Sequence, residues 1–98
     1  MKKYSYDEIK IRLEELTAKS NEPELSLFLF EKEYMIIHYA DHCSFQRCGG
    51  KEVCSGETNY STLDELYNTI TIDDILLARD WGKIKEFYCF EFQLYGME

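Results

Sequence analysis

One proline, Pro23, and five glycines are all that this 98-residue chain holds of the two residues that most often interrupt regular structure. That scarcity excludes a collagen-like or Pro/Gly-rich disordered chain. Basic residues are also few: eleven Lys and Arg stand against nineteen Asp and Glu, a net charge of −8. Phosphate contacts need a cationic footprint, so no direct binding to nucleic acid is expected. An anionic membrane surface would repel the chain, and no apolar run nears the ~20 residues of a spanning helix. The N-terminal stretch turns acidic at Asp7-Glu8, where a secretory leader would be apolar. Cytoplasmic residence is therefore expected, with Cys43, Cys48, Cys54 and Cys89 as free thiols. P-loop, EF-hand, GxSxG and HExxH patterns are missing as well. Without them the chain is read as a non-enzyme that needs no cofactor.

Apolar side chains are not scarce. Hydrophobic residues make up 45% of the chain and aromatics 15%, enough for one core, and residues 1–98 are read as a single domain. Ser5-Tyr6-Asp7-Glu8 has the form of a capping box, with Tyr4 and Ile9 spaced as a hydrophobic staple. Tyr6, Ile9, Leu13 and Leu16 then recur at helical spacing, which predicts a helix over about 5–20, ending before Pro23. Thr62-Leu63-Asp64-Glu65 repeats the capping pattern, and Leu63, Leu66, Tyr67 and Ile70 predict a second helix over 62–69. The β-branched run 69–72 should break it. Asp73-Asp74 can then cap a short helix that reaches Asp80 and stops at Gly82.

Strands are expected near 25–31, 34–40 and 84–94. In the first, Leu25, Leu27 and Leu29 alternate with Ser26, Phe28 and Phe30; a run apolar on both sides suggests a strand covered on both faces or lying at an interface. Glu31-Lys32-Glu33 lacks Gly and Asn, so the loop to the second strand should be longer than a tight primed turn. Cys43 to Cys54 reads as a hairpin about Gly49-Gly50, with Arg47 facing Glu52 and Phe45 facing Cys54, and residues 55–59 read as loop. In the last strand Ile84, Tyr88, Phe90, Phe92 and Leu94 would share one face. Leu13, Leu27, Ile36, Leu66 and Phe90 are the expected core. These elements specify an α+β fold: a mostly antiparallel sheet of about four to five strands with two or three helices packed on it.

The residues that could carry chemistry fall into three groups. His38, His42, Cys43, Cys48 and Cys54 are zinc-compatible in type, but their spacing lacks a CxxC knuckle and packing of small apolar thiols is the favoured explanation, so no bound zinc is expected. His42, Cys43, Cys48 and Cys54 are the candidates for a zinc-stabilised or thiol-dependent interaction module. A Cys–His nucleophile would have to pair Cys43 with His38, or Cys54 with His42. The third group is acidic: Asp64, Glu65, Asp73, Asp74 and Asp80, with Tyr67 as an aromatic anchor, form the candidate partner-binding set. Spaced carboxylates can imitate backbone phosphates and occupy a basic groove.

In size and charge the chain is similar to small acidic phage or mobile-element proteins that bind and block a host nucleic-acid-handling protein. No motif accompanies the similarity, so no residue role transfers with it. The expected function is a small acidic binding protein, an inhibitor in the style of a DNA mimic. Its expected partner is a basic, nucleic-acid-handling protein.

Overall fold

A computed structural model describes residues 4–19, 21–49, 52–89 and 94–97. The first helix, α1 (Tyr6–Ala18), begins as its sequence requires: the Ser5 side chain accepts from the Glu8 N–H, and the Glu8 carboxylate reaches back to the Ser5 backbone. Its apolar stripe buries Ile9 and Leu13. Past Pro23 the chain forms an antiparallel meander of β1 (Glu24–Leu29), β2 (Lys32–His38), β3 (Cys43–Gly49) and β4 (Glu52–Tyr60). Thr62 then caps α2 (Leu63–Asn68) by accepting from the Glu65 N–H. A tight turn at Ile72–Asp74 and the single-turn helix α3 (Leu77–Asp80) follow. Strands β5 (Glu86–Cys89) and β6 (Leu94–Met97) add to the free side of β1, giving one six-stranded sheet ordered β4-β3-β2-β1-β5-β6.

The fold is thus α+β, with helices on an antiparallel sheet. The radius of gyration, 12.3 Å, is close to the ~13 Å of a folded domain of about 100 residues. The core lies on one side of the sheet. Leu25, Leu27 and Leu29 of β1, Tyr34 and Ile36 of β2, Phe45 of β3, and Phe87 and Cys89 of β5 bury their side chains there. They meet Ile9 and Leu13 of α1, Leu63 and Leu66 of α2, and Leu77 of α3 in a single cluster.

Several expectations need correction. The connection after β1 is a two-residue turn: Leu29 pairs with Lys32, and Phe30 and Glu31 both take left-handed φ values, 53° and 63°. This is the primed-turn geometry that the lack of Gly and Asn argued against. Adjacent antiparallel strands impose it on a bulky residue, a source of local strain. Residues 55–59 are strand rather than loop, and the register about Gly49 differs from the expected one: Arg47 pairs with Ser55, Phe45 with Thr58, and Gly49 with Glu52. Between successive pairs β3 advances two residues while β4 advances three, so β4 carries an extra residue each time as a bulge. Gly56, at φ +71°, supplies the left-handed residue, and a Cβ there would stand 2.9 Å from Arg47 Nη1.

Asp73 and Asp74 do not cap α3; both take left-handed φ, and the helix is secured from within when Asp80 Oδ2 accepts from the Leu76 N–H at 3.1 Å. The expected strand 84–94 divides into β5 and β6, which raises the count from about five to six. Within β5 the faces are reversed: Phe87 and Cys89 are buried and Tyr88 is 40% exposed. The expected core position Phe90 lies outside the described residues; Leu13, Leu27, Ile36 and Leu66 are each no more than 2% exposed.

Truncating Leu13, Leu27 or Leu66 to Ala should lower the unfolding free energy by about 2–5 kcal/mol, the range for large-to-small changes in a packed core. Chemical denaturation with an unchanged m-value is the check. Gly56→Ala should also destabilise, through both its left-handed φ and the crowding of Arg47.

Candidate functional site

The helices occupy one face of the sheet, and strand alternation sends every second side chain to the other. On that open face the register sets two rows side by side. Phe28 of β1 lies between Glu33 of β2 and Glu86 of β5, and Ser26 lies between Met35 and Tyr88. Directly opposed side chains start from Cβ atoms about 5 Å apart, so each row is in mutual reach. Phe28 is 37% exposed and Tyr88 40%, although aromatics of this size are normally buried. Ser26 is too small to fill the space between them. The result is a shallow hollow of about 320 Å³ lined by Ser26, Leu27, Phe28, Glu33, Glu86 and Tyr88. Glu33 and Glu86 make no hydrogen bond or ion pair among the described residues.

The acidic residues expected to bind a partner have mostly different roles. Asp64 accepts from Tyr6 Oη at 2.5 Å and from Lys10 Nζ at 2.9 Å, and these donors hold its carboxyl below the ordinary range. Tyr67 is half-buried, stacked on Tyr6 with ring centroids 3.7 Å apart and set edge-on to Trp81, so its ring is a support for α1 more than a free anchor. Asp73 takes Arg47 in a two-pronged pair, Nε to Oδ2 at 3.0 Å and Nη2 to Oδ1 at 2.9 Å, and Tyr34 Oη donates to it at 2.8 Å. Those bonds pull its carboxyl down to about 2. They also tie the 72–74 turn to β2 and β3, which explains why Asp73 is unavailable as a cap. Asp80 is fully buried, bound by the Leu76 N–H and by two Arg79 nitrogens at 2.9 Å, with Lys83 Nζ at 3.6 Å. It lies on no accessible surface. Asp64, Glu65, Asp73 and Asp74 are all exposed, but only the Glu65 and Asp74 carboxylates have no hydrogen-bond or ion-pair partner among the described residues.

The cysteine and histidine candidates do not converge. Cys48 and Cys54 are joined in a disulfide across β3 and β4, with Cα atoms 4.2 Å apart. This corrects the expectation of four free thiols; the extra residues on β4 bring Cys54 level with Cys48. Cys43 and Cys89 are free and buried. His42 Nδ1 pairs with Asp41 at 2.6 Å, and its ring stacks on Tyr39. Among the described residues no group of three or more His, Cys, Asp or Glu is arranged to hold a metal ion. Cys43 and His38 are cross-strand partners. However, His38 Nδ1 is engaged by Thr17 Oγ1, and burial pushes the Cys43 thiol up to about 11, the reverse of an activated nucleophile.

Phe28, Glu33, Glu86 and Tyr88 were missed as a group because β1 and β5 are far apart in sequence. The doubly apolar run 25–30 was the one local sign of an interface. No family model, curated protein or solved structure matches the chain. No helix among the described residues is long and apolar enough to cross a membrane.

A pH prediction follows from Asp73. Its folded carboxyl titrates near 2 against an ordinary 3.8, so its contribution to stability is complete above about pH 4 and is lost as pH falls through 2. Asp73→Asn tolerates the left-handed φ but removes the charge. The stability gap between wild type and D73N, measured by denaturant titration, should be widest above pH 4 and should shrink toward pH 2.

Proposed function

We propose that this protein is a non-enzymatic acidic binding module that occupies a basic surface on a partner protein, of the kind a nucleic-acid-handling protein presents. One observation supports the reading above the others: on the sheet face opposite the helices, two carboxylates without hydrogen-bond or ion-pair partners among the described residues flank an exposed aromatic ring. Arginine and aromatic contacts dominate the energetics of protein interfaces. A net charge of −8 would steer a cationic partner toward this chain. In the inhibitor form of this reading, Glu65 and Asp74 add to the contact as phosphate substitutes, while the already paired Asp64 and Asp73 and the buried Asp80 hold the surrounding segments in place. We place this activity in the cytoplasm.

Cys48–Cys54 favours a second reading, a thiol-dependent interaction module. The bridge spans the β3–β4 hairpin, and in a reducing compartment such bonds are characteristically transient or redox-sensing.

Two measurements test these readings. For the first, a partner recovered by affinity purification should associate at a rate that falls steeply with added salt, because exposed charges are screened over ~8 Å at physiological ionic strength. Added nucleic acid should compete for that partner. Salt-independent association, or a ternary complex with nucleic acid still in the groove, overturns it. For the second, reduction of the disulfide should change affinity for the same partner, and the double variant C48S/C54S should reproduce the reduced value. Equal affinities for oxidised, reduced and variant protein overturn the thiol-dependent reading.

A further inference from the structure

We propose that the hollow on the open sheet face is a socket for a single cationic side chain, arginine in preference to lysine, carried on an exposed segment of the partner. The inference rests on the acidic-module reading and assigns it a contact point.

The geometry suits a guanidinium. Phe28 places a partly exposed ring at the middle of the row, and Glu33 and Glu86 stand on either side of it one strand away. Strands lie ~4.8 Å apart, so the two carboxylate-bearing backbones are separated by about 10 Å. That spacing leaves room for a planar cation over the ring with a carboxylate available at each end. Guanidinium combines the required properties: it stacks on aromatic faces and donates in a fork that matches carboxylate geometry, whereas an ammonium is a compact, strongly hydrated point charge. Ser26 supplies depth and Tyr88 a second wall. The same chemistry occurs inside the protein, where Lys83 Nζ lies 5.6 Å from the centroid of the exposed Phe30 ring. No cation is so placed over Phe28 among the described residues.

Other occupants fit less well. Among the described residues no basic side chain lines the hollow, so an anion would meet two carboxylates and no counter-charge from them. A purely apolar ligand would desolvate both carboxylates without replacing their hydration. A second copy of the chain, docked face to face, would bring four unpaired carboxylates together. A cation on a protein segment answers both features of the site: it neutralises the carboxylates, and its stem covers the ring.

The test uses the full chain labelled with nitrogen-15 and a short peptide alternating arginine and glycine, in low salt. Its lysine and citrulline counterparts are compared with it. Amide shifts should concentrate at residues 26–28, 33–35 and 86–88. The arginine peptide should bind more tightly than the lysine one, and the citrulline peptide should give no shifts. Glu33→Gln with Glu86→Gln should weaken the arginine peptide roughly tenfold, since two charge-assisted contacts are lost; Phe28→Ser should weaken it comparably. A control at two exposed carboxylates away from the hollow, Glu15→Gln with Glu57→Gln, should change it less than about twofold, as for ordinary exposed charges. Retained amide dispersion and thermal midpoint show that each variant is folded. If the peptide binds but the shifts lie elsewhere, or the control weakens it as much as E33Q/E86Q does, the socket is overturned and the acidic-module reading stands. If no basic peptide produces any shift, both are overturned.

Discussion

One-sided burial is the constraint on which the molecule depends. A chain this short has helices for only one face of its sheet, and all of their apolar stripe is committed there: Ile9, Leu13, Leu63, Leu66 and Leu77 close over Leu25, Leu27, Leu29, Tyr34, Ile36, Phe45 and Phe87. The other face must remain compatible with water. Carboxylates and small polar residues manage that between its aromatic side chains, which is why Glu33, Glu86 and Ser26 alternate with Phe28 and Tyr88 across three strands. The surface we propose for binding and the compatibility of this face with water are therefore two aspects of the same residues.

Electrostatics divides the acidic side chains into two populations. Asp64, Asp73 and Asp80 each accept from a cation and from at least one further donor, and each fastens a segment that apolar packing alone would leave loose: α2 to α1, the 72–74 turn to the sheet, and the start of α3 to its own end. Two-pronged contacts to arginine supply orientation as well as energy. Glu33, Glu65, Asp74 and Glu86, whose carboxylates have no hydrogen-bond or ion-pair partner among the described residues, carry the outward-facing negative field. A net charge alone does not distinguish the two populations; the hydrogen-bond partners do.

What could be read from the sequence was what depends on neighbours in the chain. The Ser5 and Thr62 caps, the apolar stripe of α1, strands β1 and β2, and four of the five expected core positions follow from short-range spacing and are present. The misreadings arose where distant segments decide. Tyr88 and Phe87 alternate with equally apolar neighbours, so which of them faces the core is set by pairing with β1 and not by local pattern. Asp73-Asp74 resembles a cap in isolation, but Arg47, 26 positions earlier, takes the Asp73 carboxylate first. Residues 55–59 look like loop because Gly56, Thr58 and Asn59 are turn formers; β3 draws them into a bulged strand. The hollow beside Phe28 belongs to the same class, since its walls come from three strands and its existence depends on the crossover that brings β5 to β1.

That crossover also bears on synthesis. Leu25 to Phe28 pair on one side with β2, which follows after a two-residue turn, and on the other with residues 86–89. On the ribosome the second partner does not exist until residues 86–89 have been made, about sixty positions after β1. Throughout that interval the most apolar strand of the protein, Glu-Leu-Ser-Leu-Phe-Leu, has one edge of backbone donors and acceptors without its mate. Such an edge is an open template for strand addition. A fragment ending before Glu86 would carry that template permanently, so residues 86–89 act as its cover.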